Sequence, residues 1–98
     1  MDRMKKVLIT GADGYVGRSL VTYLKDKLDI TTICRADLDL LNRDNVNSYF
    51  VNKYFDCVIH CAISGGSRLK KDSSIILDQN LIMYYNILEN KSHYGKFI

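Results

Sequence analysis

The spacing of hydrophobic positions changes several times along the chain, and each change marks an element. Residues 6–10, KVLIT, form a nearly continuous apolar run, as expected of a strand covered on both faces. From Val16 onward apolar residues recur every fourth position, at Leu20, Leu24 and Leu28, and Val21 widens the stripe. Arg18, Lys25, Asp26 and Lys27 occupy the outer side, so an amphipathic helix is predicted. Residues 30–34, ITTIC, are β-branched and read as a second strand. A polar segment with embedded leucines follows, RADLDLLNRD, in which Asn42 or Asp44 is expected to cap a second helix. The apolar face of that helix is Val46, Tyr49, Phe50 and Tyr54. Residues 57–62, CVIHCA, predict a third strand, and residues 64–67, SGGS, a loop. Residues 72–90 carry the longest helical pattern, with Ser73 and Ser74 as capping candidates. Its expected buried side is Ile76, Leu77, Leu81, Tyr84 and Leu88. Residues 96–98, KFI, begin a fourth strand.

Strand and helix alternate throughout. Parallel strands need crossover connections, and helices supply them. The expected architecture is therefore α/β, a parallel sheet with helices on both faces, built by right-handed crossovers. With 98 residues the chain holds one domain at most.

The turn after the first strand carries the densest chemical signal. Residues 11–17 read GADGYVG, a GxxGxxG spacing that leaves an apolar strand and enters a helix. Gly11 allows the tight turn, Gly14 lets backbone approach a pyrophosphate, and Gly17 lets the helix pack closely on the sheet. Unpaired N–H groups at the helix start would then face phosphates. This context is the one a Rossmann-type dinucleotide site requires. A plain strand–turn–helix that uses glycine only for geometry is the bland alternative.

Composition narrows the function classes. The chain is 47% hydrophobic and 26% charged, enough apolar material for a core. A net charge of +3, with no basic run longer than two residues, argues against nucleic-acid binding but suits an anionic ligand. Cys34, Cys57 and Cys61 form no CxxC pair and are expected as buried free thiols in a reducing, cytoplasmic compartment. No zinc-ligand spacing surrounds His60 or His93. No leader peptide is expected from the start of the chain, and no stretch nears the roughly 18 apolar residues of a membrane span.

The motifs together resemble the extended branch of the short-chain dehydrogenase/reductase superfamily, the NAD-dependent epimerase/dehydratase family. VLITGADGYVG resembles its opening motif, DLDLLN its adenine-pocket segment, FDCVIHCA its strand-end segment, and DQNLIMYYNILE its central helix with a buried asparagine. Within that branch CRADLDLLN and the double glycine after CAIS are most similar to the GDP-L-fucose synthase group. The resemblance implies pyrophosphate binding by Gly11, Gly14 and Gly17, with Tyr15 and Val16 at the variable and hydrophobic positions of the helix start. It implies that Arg35 contacts a 2′-phosphate and that Asp39 and Leu40 lie on the adenine side. Cys61, Ala62 and Ile63 would pass under the nicotinamide ribose, with Asn80 near them. NADP is the implied cofactor. NAD stays open because Asp37 could serve a ribose hydroxyl.

Reductases of this branch use a serine or threonine with a YxxxK pair. Those residues are expected beyond Ile98, so residues 1–98 are read as a dinucleotide-binding domain that stops before the catalytic segment, inactive alone. A nucleotide sugar would bind through the remaining part, and a homodimer is one assembly open to it. The chain holds YxxxK twice, at Tyr23/Lys27 and Tyr49/Lys53. Both fall on early helices away from the nicotinamide end and are rejected as catalytic. Arg35 and Asn80 each also admit a merely structural reading, and His60 and Cys61 read as core residues. The competing functional reading is a non-catalytic sensor or scaffold on the same fold.

Overall fold

A computed structural model describes residues 4–62 and 74–98. The elements run β1 (Lys6–Thr10), α1 (Tyr15–Leu24), β2 (Asp29–Ile33), α2 (Arg43–Phe50), β3 (Phe55–His60), α3 (Ser74–Leu88), a 3-10 turn (Lys91–His93) and β4 (Tyr94–Phe97). The four strands form one sheet in the order β2-β1-β3-β4, and every pairing is parallel. Thr10 lies level with Ile33 on one side and His60 on the other. The carboxyl ends of three strands therefore finish together.

Side chains alternate across a strand, and the two faces of β1 show it. Leu8, with Ile33 and Val58 of its neighbours, packs into a cluster with Val46 and Phe50 of α2 and Met83 and Ile87 of α3. Val7 and Ile9 point to the opposite face and are equally buried; α1 lies along β1. Both faces of β1 are thus dry, which is why its sequence has no polar alternation. Each Leu or Ile buried there contributes about 1.5–3 kcal/mol.

Polar groups fix how the helices join. Of the two candidate caps, Asn42 caps α2, its side chain accepting the Asn45 amide at 3.0 Å, and Asp44 lies in the first turn. Asn52, with φ 60°, turns the chain after α2; asparagine tolerates this left-handed conformation. Asn86 donates to the Leu40 carbonyl at 2.8 Å, Asn90 donates to Asn47 and to the Asn86 carbonyl, and the Tyr94 hydroxyl donates to the Ile87 carbonyl. The last carbonyls of α3 are satisfied in this way.

Several expectations are corrected. β2 starts and ends one residue earlier than its apolar run, and β3 begins two residues earlier, at Phe55. Asp56 interrupts the apolar pattern there because its carboxylate accepts the Lys6 amide at 2.7 Å. Val16 is 60% exposed and Tyr54 is exposed, so neither belongs to a buried face. Leu20, Val21, Leu24 and Leu28 are half-buried. α3 buries Met83, Asn86 and Ile87; of the expected face, Leu77, Leu81 and Tyr84 are exposed. The three thiols are free but half-buried. The SGGS loop, Asp72 and Ser73 lie outside the described residues; Ser74 opens α3.

Candidate functional site

The chain leaves β1 toward β2 and leaves β3 toward β4, so connections diverge between β1 and β3. In open parallel sheets ligands bind at such a switch point, beyond the carboxyl ends of the strands. A cavity of about 640 Å³ lies there, within the usual range for a small-molecule site. Its walls come from all three strand ends: Gly11 and Asp13 after β1, Ile33 to Arg35 and Leu38 to Leu41 around β2, and Ala62 after β3, with Gln79 and Met83 from α3.

The glycine turn is shaped by contact. Gly11 has φ +66°, and a Cβ there would lie 2.6 Å from the Ala62 nitrogen and 2.8 Å from the Cys61 carbonyl carbon. Both backbone angle and space demand glycine. A Cβ on Gly17 would run into the Gly11 carbonyl oxygen and the Ala12 Cα, so Gly17 sets how closely α1 approaches the turn. Gly14 differs: a Cβ there would make only ordinary contact, at 3.4 Å. It occupies the cap of α1 in extended backbone with no side-chain cap. The Gly11 amide is held by the Ile33 carbonyl at 2.8 Å and the Gly14 amide by the Gly11 carbonyl at 3.0 Å. The first turn of α1, Tyr15 to Gly17, presents the N–H groups that a helix leaves without internal partners. Tyr15 stands 85% exposed.

After β2 the backbone folds into a tight polar turn. The Asp37 carboxylate accepts the Cys34 amide and the Cys34 thiol, each at 3.0 Å. These bonds hold Asp37 below the ordinary carboxylate range, and the carboxylate raises the Cys34 thiol pKa. Arg35 is exposed and lines the cavity. Asp39 accepts the Leu41 amide at 3.0 Å, and Leu40 is buried.

After β3, Cys61 and Ala62 are half-buried, and both amides lie on the Thr10 hydroxyl, at 3.1 and 3.3 Å. His60 ends β3 with Nδ1 2.7 Å from the same hydroxyl. Burial pushes its pKa below the ordinary 6.5.

Among the expected site residues, Gly11, Arg35, Asp39, Leu40 and Ala62 converge on the cavity. Gly14, Tyr15, Val16 and Gly17 stand beside it at the start of α1, and Ile63 lies outside the described residues. Asn80 is half-buried on α3 and does not line the cavity; the buried amide of that helix is Asn86, and Asn90 is buried just after its end. Gln79 and Met83 were not expected at the site; they lie within the DQNLIMYYNILE segment, from which only Asn80 was singled out. They reach the cavity only because α3 crosses the sheet end. Of the two YxxxK pairs, Lys27 sits 4.2 Å from the Tyr23 ring and Lys53 4.6 Å from the Tyr49 ring. Each lysine is spent on a cation–π contact, and neither pair lines the cavity. No helix among the described residues is long and apolar enough to cross a membrane.

Comparison with known proteins agrees with this geometry. The chain is 34% identical over 91 residues to GDP-L-fucose synthase from Azorhizobium caulinodans, covering 90% of this chain and 29% of that protein. It is 31% identical over 86 residues to GDP-L-colitose synthase from Yersinia pseudotuberculosis, covering 85% and 28%. It therefore spans under a third of the length of these curated relatives. Its fold superposes on GDP-mannoheptose C4 reductase from Campylobacter jejuni, solved with NADP bound, with TM-score 0.85, 22% identity, and coverage of 99% of this chain and 32% of that one. The sequence profile of the NAD dependent epimerase/dehydratase family matches residues 7–97, and the chain belongs to that family.

Proposed function

We propose that this chain is the dinucleotide-binding portion of an NADP-dependent nucleotide-sugar epimerase or reductase, of the GDP-L-fucose synthase kind. The observation that carries the reading is the cavity at the switch point, where the Gly11 turn, the Arg35 side and Ala62 meet. A Cβ on Gly11 or Gly17 would strike this chain's own backbone, so both glycines hold the turn tight, while a Cβ on Gly14 would make only an ordinary contact, which leaves that position for backbone approach to a phosphate. Gly11, Gly14, Tyr15, Val16 and Gly17 would hold the pyrophosphate. Asp39 and Leu40 would lie on the adenine side, and Cys61, Ala62, Ile63 and Asn80 toward the nicotinamide ribose. A bound dinucleotide supplies hydride transfer; these residues bind and orient it.

Arg35 favours NADP over NAD. It leaves the sheet one residue after Cys34, and its guanidinium offers a fork of donors suited to a dianionic phosphate. Asp37, the group that would favour a ribose hydroxyl, is turned onto Cys34 instead. Both curated relatives carry a GDP-linked sugar in their names, which supports a GDP-sugar substrate, bound through further chain of the parent protein.

The test compares dissociation constants for NADPH and NADH in wild type and Arg35→Ala. A charge-assisted bond of about 1.5–3 kcal/mol predicts roughly a ten- to hundredfold preference for NADPH. The substitution should abolish that preference and leave NADH binding unchanged. Equal affinity of wild type for both cofactors would remove Arg35 as a phosphate reader.

A further inference from the structure

Thr10 and His60 end adjacent strands and meet at the floor of the Gly11 turn. Thr10 is 1% exposed. Among the described residues its hydroxyl oxygen has three nitrogen neighbours: His60 Nδ1 at 2.7 Å, the Cys61 amide at 3.1 Å and the Ala62 amide at 3.3 Å. The two amides can only donate. A hydroxyl has two lone pairs and one proton, so the amides occupy its acceptor capacity. Its own proton must then go to the third neighbour. His60 Nδ1 is therefore an acceptor, and the ring carries its proton on Nε2. An imidazolium would place a third donor on the same oxygen.

The consequence reaches the glycine turn. The backbone held by Thr10 is the backbone that Gly11 packs against, since Cys61 and Ala62 are what a Gly11 side chain would strike. The Cys61 amide is also shared with the Thr10 carbonyl at 3.2 Å, which ties the two strand ends a second time. Around His60 the facing groups are Thr10 from β1 and Phe97 from β4, with ring centroids 6.2 Å apart. Tyr84 of α3 stacks on Phe97. Among the described residues no charged side chain contributes to the His60 shift, whose single cause is burial.

We propose that His60 is a positioning residue for the dinucleotide turn: as the neutral Nε2–H tautomer it takes the Thr10 hydroxyl proton, which commits that oxygen to the Cys61 and Ala62 amides and fixes the strand end beneath Gly11. The positioning half rests on the dinucleotide reading above; the tautomer half stands without it.

Two substitutions separate acceptor from ring. His60→Asn places an amide oxygen where Nδ1 was, one bond beyond Cγ, and cannot be protonated. His60→Phe keeps the ring against Phe97 and removes the acceptor. Long-range nitrogen–proton NMR of the wild-type chain should show Nε2–H and an unprotonated Nδ1. NADPH titrations should find His60→Asn within about twofold of wild type and His60→Phe weaker by about tenfold, the scale of one hydrogen bond. An Nδ1–H tautomer overturns the proposal. So does His60→Phe binding as tightly as wild type, or His60→Asn binding as weakly as His60→Phe. If His60→Phe does not fold, the wild-type spectrum and His60→Asn still decide. If the wild-type chain binds no NADPH, the dinucleotide reading falls and the imidazole spectrum alone judges the Thr10–His60 arrangement.

Discussion

The Asp37 carboxylate closes on both the amide and the thiol of Cys34, at 3.0 Å each. One residue thereby shapes the turn after β2, and its ionised carboxylate is committed to Cys34. The thiol pKa is raised chiefly by that hydrogen bond, so the thiolate, the reactive form, is scarce at neutral pH. Asp37→Ala is expected to return Cys34 toward its ordinary pKa and speed its alkylation near pH 8. Mass spectrometry resolves Cys34 from Cys57 and Cys61, whose thiols burial also pushes up and whose rates should not change. Unchanged alkylation of Cys34 would show that the bond does not govern its ionisation.

Gly17 and Gly14 should separate by readout. Gly17→Ala places a methyl against the Gly11 carbonyl; overpacking of this kind costs about 1–3 kcal/mol, visible as a lowered thermal midpoint. Gly14→Ala meets only an ordinary contact at 3.4 Å. It should change stability little yet weaken NADPH binding, because a methyl then stands where phosphate would approach. A Gly14→Ala chain that binds NADPH as well as wild type would move the pyrophosphate away from this turn.

Asn86 links α3 to the segment before α2 through the Leu40 carbonyl. Asn86→Leu leaves that carbonyl unpaired, and a buried unsatisfied acceptor costs about 1–3 kcal/mol. Urea unfolding should show the loss in midpoint. By contrast Arg43 and Glu89, paired at 2.8 Å on the surface with side chains 67% and 45% exposed, should tolerate alanine with under about 1 kcal/mol lost.

Acid should weaken the fold through His60. Its pKa lies below 6.5 in the folded chain and returns toward that value on unfolding. Between the two values the unfolded chain binds more protons. Stability is therefore full above 6.5, falls as pH drops below it, and levels off once pH is under the folded value. Urea midpoints from about pH 7.5 to about pH 5 should show this decline, and His60→Asn should flatten that part of it. A wild-type profile identical to that of His60→Asn would contradict the assignment.

Much of the fold was legible in the chain because local signals agreed with the tertiary outcome. β1 was readable to the residue, since a strand dry on both faces leaves an unbroken apolar run. The cap of α2 was legible as Asn42 or Asp44, because a cap acts on its own helix; the structure chooses Asn42 and places Asp44 in the first turn. α3 was not. It carries Ile75, Ile76, Leu77, Leu81, Ile82, Met83, Tyr84, Tyr85 and Ile87 almost all round, so no stripe distinguishes the inward side. The true side includes an asparagine, Asn86, whose amide is satisfied by the Leu40 carbonyl far away in sequence. Within the candidate site, Gly11 and Gly17 were legible from spacing, and Arg35 from the family resemblance. Gln79, Met83 and the Thr10–His60 pair did not, because each acquires meaning only when separate elements are brought side by side.

The crevice beyond β1, β2 and β3 is proposed to bind a dinucleotide. Amide chemical shifts during NADPH titration of the labelled chain test it most directly. Saturable shifts are expected at Gly11, Asp13, Arg35, Asp39 and Ala62, which are among the residues lining that cavity. Absence of saturable shifts would contradict it. So would shifts gathered instead at Val21, Lys25, Leu28 and Ile30, which line a separate cavity between α1 and β2.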